Sequence, residues 1–101
     1  MNESEHQRIQ RKAKEGFAPE QNLLGLMYLV GDGVEQDATE AANWFRFAAG
    51  QGLADAQYNL GELFRMGTGV GVDFGEAQRY FTYAANQGLP DACFALGQIE
   101  R

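Results

Sequence analysis

The sequence predicts an all-α chain folded as a right-handed α/α solenoid, a stack of helix–turn–helix units sharing one continuous core. Three observations carry this. The chain overlays itself after a shift of 36 residues: pairing residues 13–64 with 49–100 gives 22 identities in 52 pairs. The matched positions are of kinds that packing and backbone geometry dictate, among them Leu24/Leu60/Leu96, Gly25/Gly61/Gly97, Gly31/Gly67, Gly33/Gly69, Val34/Val70, Asp37/Asp73, Phe45/Phe81 and Ala48/Ala84. Within each copy the apolar residues recur at helical spacing, and no β-rich run interrupts them.

Residues 1–16 are read as a capping helix. Under the same shift Glu5, Arg8, Ile9 and Lys12 stand where Ala41, Trp44, Phe45 and Ala48 stand one copy later. This is a second helix whose outer face has been made polar, as a terminal repeat requires when nothing stacks beyond it. Repeat 1 covers residues 17–52. Its first helix carries Glu20, Leu24, Met27 and Tyr28 at i, i+4, i+7 and i+8, one stripe of an α-helix, and its second carries Ala41, Trp44, Phe45 and Ala48. Repeat 2, residues 53–88, repeats both stripes with Ala56, Leu60, Leu63 and Phe64, then Ala77, Tyr80, Phe81 and Ala84. Residues 89–101 begin a third copy with Ala92, Leu96 and Ile99; this segment either caps the stack by itself or leads into a longer natural chain. About five helices in one domain are expected.

The glycines are read mechanically. Gly25 and Gly61 lie inside helices, where each costs about 1 kcal/mol relative to alanine. Their recurrence predicts that close approach of the partner helix offsets this cost, in a packing where an aromatic ring lies against a glycine or alanine. Gly31 and Gly67 are expected to end the first helices in the left-handed conformation. Gly33 and Gly69 belong to the turn, Val34 and Val70 tuck it onto the core, and Asp37 and Asp73 are placed to cap the second helices. Gly71 and Gly75 are peculiar to the second copy and loosen its turn.

Composition narrows the function. At 101 residues and 45% hydrophobic content the chain is one folded domain at most, burying roughly two thirds of its unfolded surface. The first sixteen residues carry net +1 and the remainder −7. An acidic body repels nucleic acid and anionic lipid, so neither is expected as a partner. The basic run "RIQRK" reads as a solvated helix face rather than an anion patch. No apolar run approaches the ~20 residues of a membrane span. The charged start "MNESEHQRIQRKAKEG" has no apolar h-region, so no signal peptide is expected. With one cysteine, Cys93, there is no internal disulfide. A cytoplasmic location is expected, with export as the alternative if a leader belongs to the natural chain.

The stretches "EQNLLGLMYLVGDGVEQDATEAANWFRFAAGQG" and "AQYNLGELFRMGTGVGVDFGEAQRYFTYAANQG" carry L-G-x-x-[YF], G-x-G-V, an Asp three residues on, E-A, an aromatic pair, A-A and x-Q-G. On these motifs the chain resembles the Sel-one-like repeat family, relatives of the tetratricopeptide repeats. The resemblance covers nearly the whole chain. It implies an adaptor or scaffold, the family's usual role in signalling, protein quality control and bacterial host contact. Pro19 and Glu20 replace the family's small residues, which suits a terminal repeat, and Phe47 and Tyr83 stand where a polar residue is frequent. The paired cysteines of the exported cysteine-rich members are absent, so neither their stapled architecture nor their activity carries over.

The stretch "GTGVGVDFGEA" invites a phosphate-loop reading. It lacks the Lys of G-x-x-x-x-G-K-[ST], and the sixth residue from Gly67 or Gly69 is not glycine. The one histidine, His6, lies in the polar N-terminal helix and reads as an exposed solubilising side chain. Cys93 has no basic neighbour in sequence and reads as a half-buried inert thiol. Asp32, Glu35 and Asp37 miss the EF-hand spacing. No catalytic residue, cofactor or metal is expected, and a hydrolase is disfavoured because no acid, base, nucleophile and metal set can be assembled.

What remains is surface. In helical-hairpin solenoids the first helices line the concave face. On them the positions opposite the core stripe are Asn22, Leu26 and Leu29; Tyr58, Glu62 and Arg65; Phe94 and Gln98. They are expected to bind a protein or peptide. Tyr58→Ala and Glu62→Arg are expected to weaken that binding without unfolding the domain. Phe47 and Tyr83 either pack on a neighbouring turn or form a patch for self-association. The alternative function is assembly through the C-terminal edge, by stacking on another copy or within a longer chain.

Overall fold

The computed structural model describes residues 2–99. Six helices follow in order: α1 (Glu5–Lys14), α2 (Ala18–Val30), α3 (Ala38–Gly50), α4 (Ala54–Met66), α5 (Phe74–Asn86) and α6 (Pro90–Ile99). About five helices are expected and six form among the described residues: the N-terminal cap, two in each full repeat, and α6 in the C-terminal half repeat. Each helix packs on its neighbours in sequence, and the principal extents are 53 × 25 × 17 Å. Such an elongated body follows from one-dimensional stacking, in which each unit touches only the next.

The helix boundaries have local causes. Ser4 and Gln7 form a capping box at the start of α1. The Glu40 amide donates to the Asp37 carboxylate at 3.1 Å, and the Glu76 amide to Asp73 at 3.0 Å, so the recurrent aspartates are the N-caps of α3 and α5. Gly31 and Gly67 stop α2 and α4 with φ of 78° and 71°, a left-handed turn open to glycine at little cost.

α2 and α4 begin differently. Their N-caps are Phe17 and Leu53, which have no side-chain oxygen to offer. Here a pair of glutamines ties consecutive repeats together. The Gln21 amide group donates to the Ala13 carbonyl at the end of α1, while Gln51 donates to Gly16 O at 2.9 Å and to Gln21 Oε1 at 2.8 Å. One repeat on, Gln57 donates to Ala49 O, and Gln87 donates to Gly52 O at 2.8 Å and Gln57 Oε1 at 2.9 Å. Gln21 and Gln57 are buried, and each such bond is worth about 1 kcal/mol net.

The core runs the length of the stack. Phe45 and Phe81 are fully buried, and each ring lies on the glycine of the preceding helix. A Cβ built on Gly25 would come within 2.5 Å of the Phe45 ring, and one on Gly61 within 2.7 Å of Phe81. The close approach read from the recurrent glycines is therefore present in both pairs. Between repeats, Gly69 lies against the Ala38 backbone at the start of α3, where no side chain fits. Gly33 lies in the same way against the ring of His6, whose Nε2 is 3.1 Å from Asp32 Oδ1. His6 is thus a joint between α1 and the first turn, not a free solubilising group. Val70 packs on the main core cluster, as Val34 does on the smaller one around Ile9, Ala13, Leu24 and Met27.

Cys93 departs from its expected half-burial: it is free and exposed. It occupies the repeat position of the buried Gln21 and Gln57, but no second helix follows α6 among the described residues to cover it.

Candidate functional site

Tyr58, Glu62 and Arg65 are spaced i, i+4 and i+7 along α4, and Asp91, Phe94 or Ala95, and Gln98 likewise along α6. Residues so spaced share a helix face. The two faces meet in a groove of about 280 Å³ lined by Tyr58, Glu62, Arg65, Asp91, Phe94, Ala95 and Gln98. Five of the residues named from the sequence are therefore brought together here.

The other three are not. Asn22, expected on the outer face, is only 8% exposed; the Asn59 amide group donates to its Oδ1 at 3.0 Å and ties α4 to α2. Stacking one first helix beside the next has turned a surface position into a polar contact. Leu29 is half-buried against the main core, and Leu26 is exposed but does not line this groove. Asp91 was absent from the sequence-based set, although its place three residues before Phe94 could have suggested it.

Within the groove, Arg65 grips Glu62 with two hydrogen bonds of 2.9 and 3.0 Å. That pairing raises the Arg65 guanidinium above its ordinary pKa. The Tyr58 ring is half-buried, with its centroid 5.7 Å from that of Phe81. Burial first, then the nearby Glu62 and Asp91 carboxylates, raise the Tyr58 hydroxyl above its usual pKa. Phe94 is 71% exposed at the rim. Because Tyr58 also packs on the core, truncating it would weaken the fold as well as the surface. That corrects the expectation of a clean Tyr58→Ala variant.

Phe47 and Tyr83 are 59% and 46% exposed. Each turns an edge toward an aromatic ring of its own helix: Trp44 at 5.6 Å for Phe47, and Tyr80 at 6.0 Å for Tyr83. Among the described residues no group of three or more His, Cys, Asp or Glu could hold a metal ion, and no helix is long and apolar enough to cross a membrane.

A stack of helix pairs with glycine-seated aromatics defines an α/α solenoid, and the comparisons with known proteins place it in one family. The Sel1 repeat model matches residues 21–53 and 54–89, so the chain belongs to the Sel1 repeat family. Its fold is the right-handed Sel1 solenoid expected from the resemblance. It is similar to c5321, a protective antigen present in uropathogenic Escherichia coli strains and displaying an SLR fold, with 42% identity and a TM-score of 0.82 over 83% of this chain and 18% of that one. A Sel1 repeat protein from Oxalobacter formigenes matches at 38% identity and TM-score 0.82, over 84% of this chain and 35% of that one. Helicobacter pylori cysteine rich protein B matches at 27% identity and TM-score 0.84, over 90% of this chain and 68% of that one. The chain thus spans about a fifth and about a third of the first two. Among curated proteins none matches. Sel1 repeats generally serve as protein–protein interaction modules and are typically non-catalytic.

Proposed function

We propose that this chain is a non-catalytic adaptor module that binds a protein or peptide partner on its first-helix, concave face. The observation that carries this reading is the groove between α4 and α6, where Tyr58, Phe94 and Ala95 supply apolar surface beside fixed polar groups. A rigid aromatic held in a concave site is the usual anchor of a protein interface. We also propose a cytoplasmic location, on the ground that the one cysteine is free.

The test is capture of the native partner by wild type, Phe94→Ala and Glu62→Arg, with thermal melting run in parallel. Phe94 is exposed, so its truncation is expected to leave the melting temperature nearly unchanged and to cut partner affinity by about ten-fold, or ~1.4 kcal/mol. Undiminished capture by both variants would remove this face from consideration.

A second reading has its own support. Gly25 and Gly61 each seat a phenylalanine, whereas Gly97 in α6 has nothing within 4 Å of its would-be Cβ. Leu96, equivalent to the buried Leu24 and Leu60, is only half-buried. The exposed Phe74 and the half-buried Ile99 border a hollow of about 530 Å³ at this end. Such an edge favours assembly through α6, by self-association or by further repeats, and Phe47 with Tyr83 offers a lateral alternative. Sedimentation across a concentration range decides it: a wild type that stays monomeric excludes self-association by either patch.

A further inference from the structure

The charges around the α4/α6 groove are unequal. Arg65 is the only basic residue in α2, α4 and α6, and it is committed to Glu62. Asp91 lines the same groove, and among the described residues no basic group pairs with it. Asp91 sits in the first turn of α6, where it favours the helix dipole, as Asp55 does in α4. It lines the groove together with the rings of Tyr58 and Phe94 and the methyl of Ala95. The net charge of −6 repels an acidic segment and attracts a basic one.

From this juxtaposition we infer that the groove between α4 and α6 receives a lysine or arginine side chain of the partner polypeptide, its stem against Tyr58, Phe94 and Ala95 and its charge at Asp91. The inference rests on the first-helix face being the binding face, and it names the chemistry the face selects. Long cationic side chains suit such a site because their methylene stems cover apolar surface while the head stays at a carboxylate. The aromatic faces add a cation–π attraction. The Glu62–Arg65 pair neutralises the far wall, so the negative charge is concentrated at Asp91.

The experiment titrates an acetylated, amidated Lys-Gly-Lys-Gly peptide and its Glu-Gly-Glu-Gly counterpart into the isotope-labelled full chain at low salt, reading backbone amide shifts. The lysine peptide is expected to move the amides of Tyr58, Asp91, Phe94 and Ala95, and the glutamate peptide to leave them in place. Asp91→Asn should weaken the lysine peptide about two- to five-fold. Glu35→Gln, an equal charge change on an exposed turn, should bind like the wild type. Equal weakening in both variants would mean diffuse attraction and overturn the inference. So would shifts centred away from the groove, or no shifts at all. If the glutamate peptide alone moves the groove amides, the cation assignment falls while the binding face stands. If neither peptide does, the face is judged separately by Phe94→Ala in native partner capture.

Discussion

The two ends of the stack are built from the same repeat yet meet solvent in different ways. α1 is a second-type helix that fully buries only Ile9 and Ala13 and turns Glu5, Arg8 and Arg11 to water. Its first turn is closed by the Ser4–Gln7 box, and Arg11 is held between Glu3 at 2.8 Å and Glu15 at 3.1 Å. α6 is a first-type helix that keeps the repeat's apolar pattern on the outside: Phe94 and Gly97 are exposed and Leu96 is half-covered. The pattern that makes the interior cohesive is replaced by charge at one end and retained at the other. A solenoid terminus is soluble when its stacking face has been rewritten. An unrewritten face preserves the fit for another helix.

Breaking a glycine in the middle of the stack should have the largest effect on this contrast. Gly61→Ala puts a methyl into the Phe81 ring, in a core where that ring is fully buried. Overpacking costs about 1–3 kcal/mol and exceeds the helix propensity gain of about 1 kcal/mol, so a net loss of up to about 2 kcal/mol in chemical denaturation is expected. A variant as stable as wild type would show that the ring moves aside freely.

The N-terminal cap comes next. Ser4→Ala removes the acceptor for the Gln7 amide, so about 1 kcal/mol should be lost. Hydrogen exchange should locate the loss in α1 before any other helix. Loss spread uniformly along the chain would mean that α1 does not fray independently.

The smallest change has the opposite sign. Gly97→Ala meets no atom within 4 Å, so a gain of about 0.4–1 kcal/mol is expected in the same denaturation experiment. Should Gly97→Ala instead destabilise as Gly61→Ala does, α6 would have to be covered in solution, and the assembly reading would gain support.

Much of the architecture was legible because its causes are periodic. A ring seated on a glycine leaves glycines and aromatics in register in every copy, so close helix packing was legible, while the pairing of Phe45 with Gly25 and of Phe81 with Gly61 came from the fold. Turn residues are legible for a related reason: a left-handed glycine and a capping aspartate act within a few residues of themselves. The glutamines were less so. Gln21, Gln51, Gln57 and Gln87 recur in sequence, but residue type alone does not say which carbonyl an amide group will reach. The binding face was legible as a column of positions and not as a surface, which is why Asn22 was included and Asp91 omitted. His6 was misread because its partners, Asp32 and Gly33, lie far along the chain and become neighbours only when α1 packs on α2.

Repeat length, helix limits, the core stripes and the charge imbalance between ends follow from short-range geometry and composition, which any stretch of chain carries with it. The burial of Asn22 against Asn59, the gathering of Tyr58, Glu62, Arg65, Asp91 and Phe94 around one groove, and the openness of Gly97 were set by stacking. Helices one repeat apart are brought side by side by the helix between them, so the partner of a side chain is chosen by how closely those helices approach. That distance belongs to the packed core and is not written in any single segment.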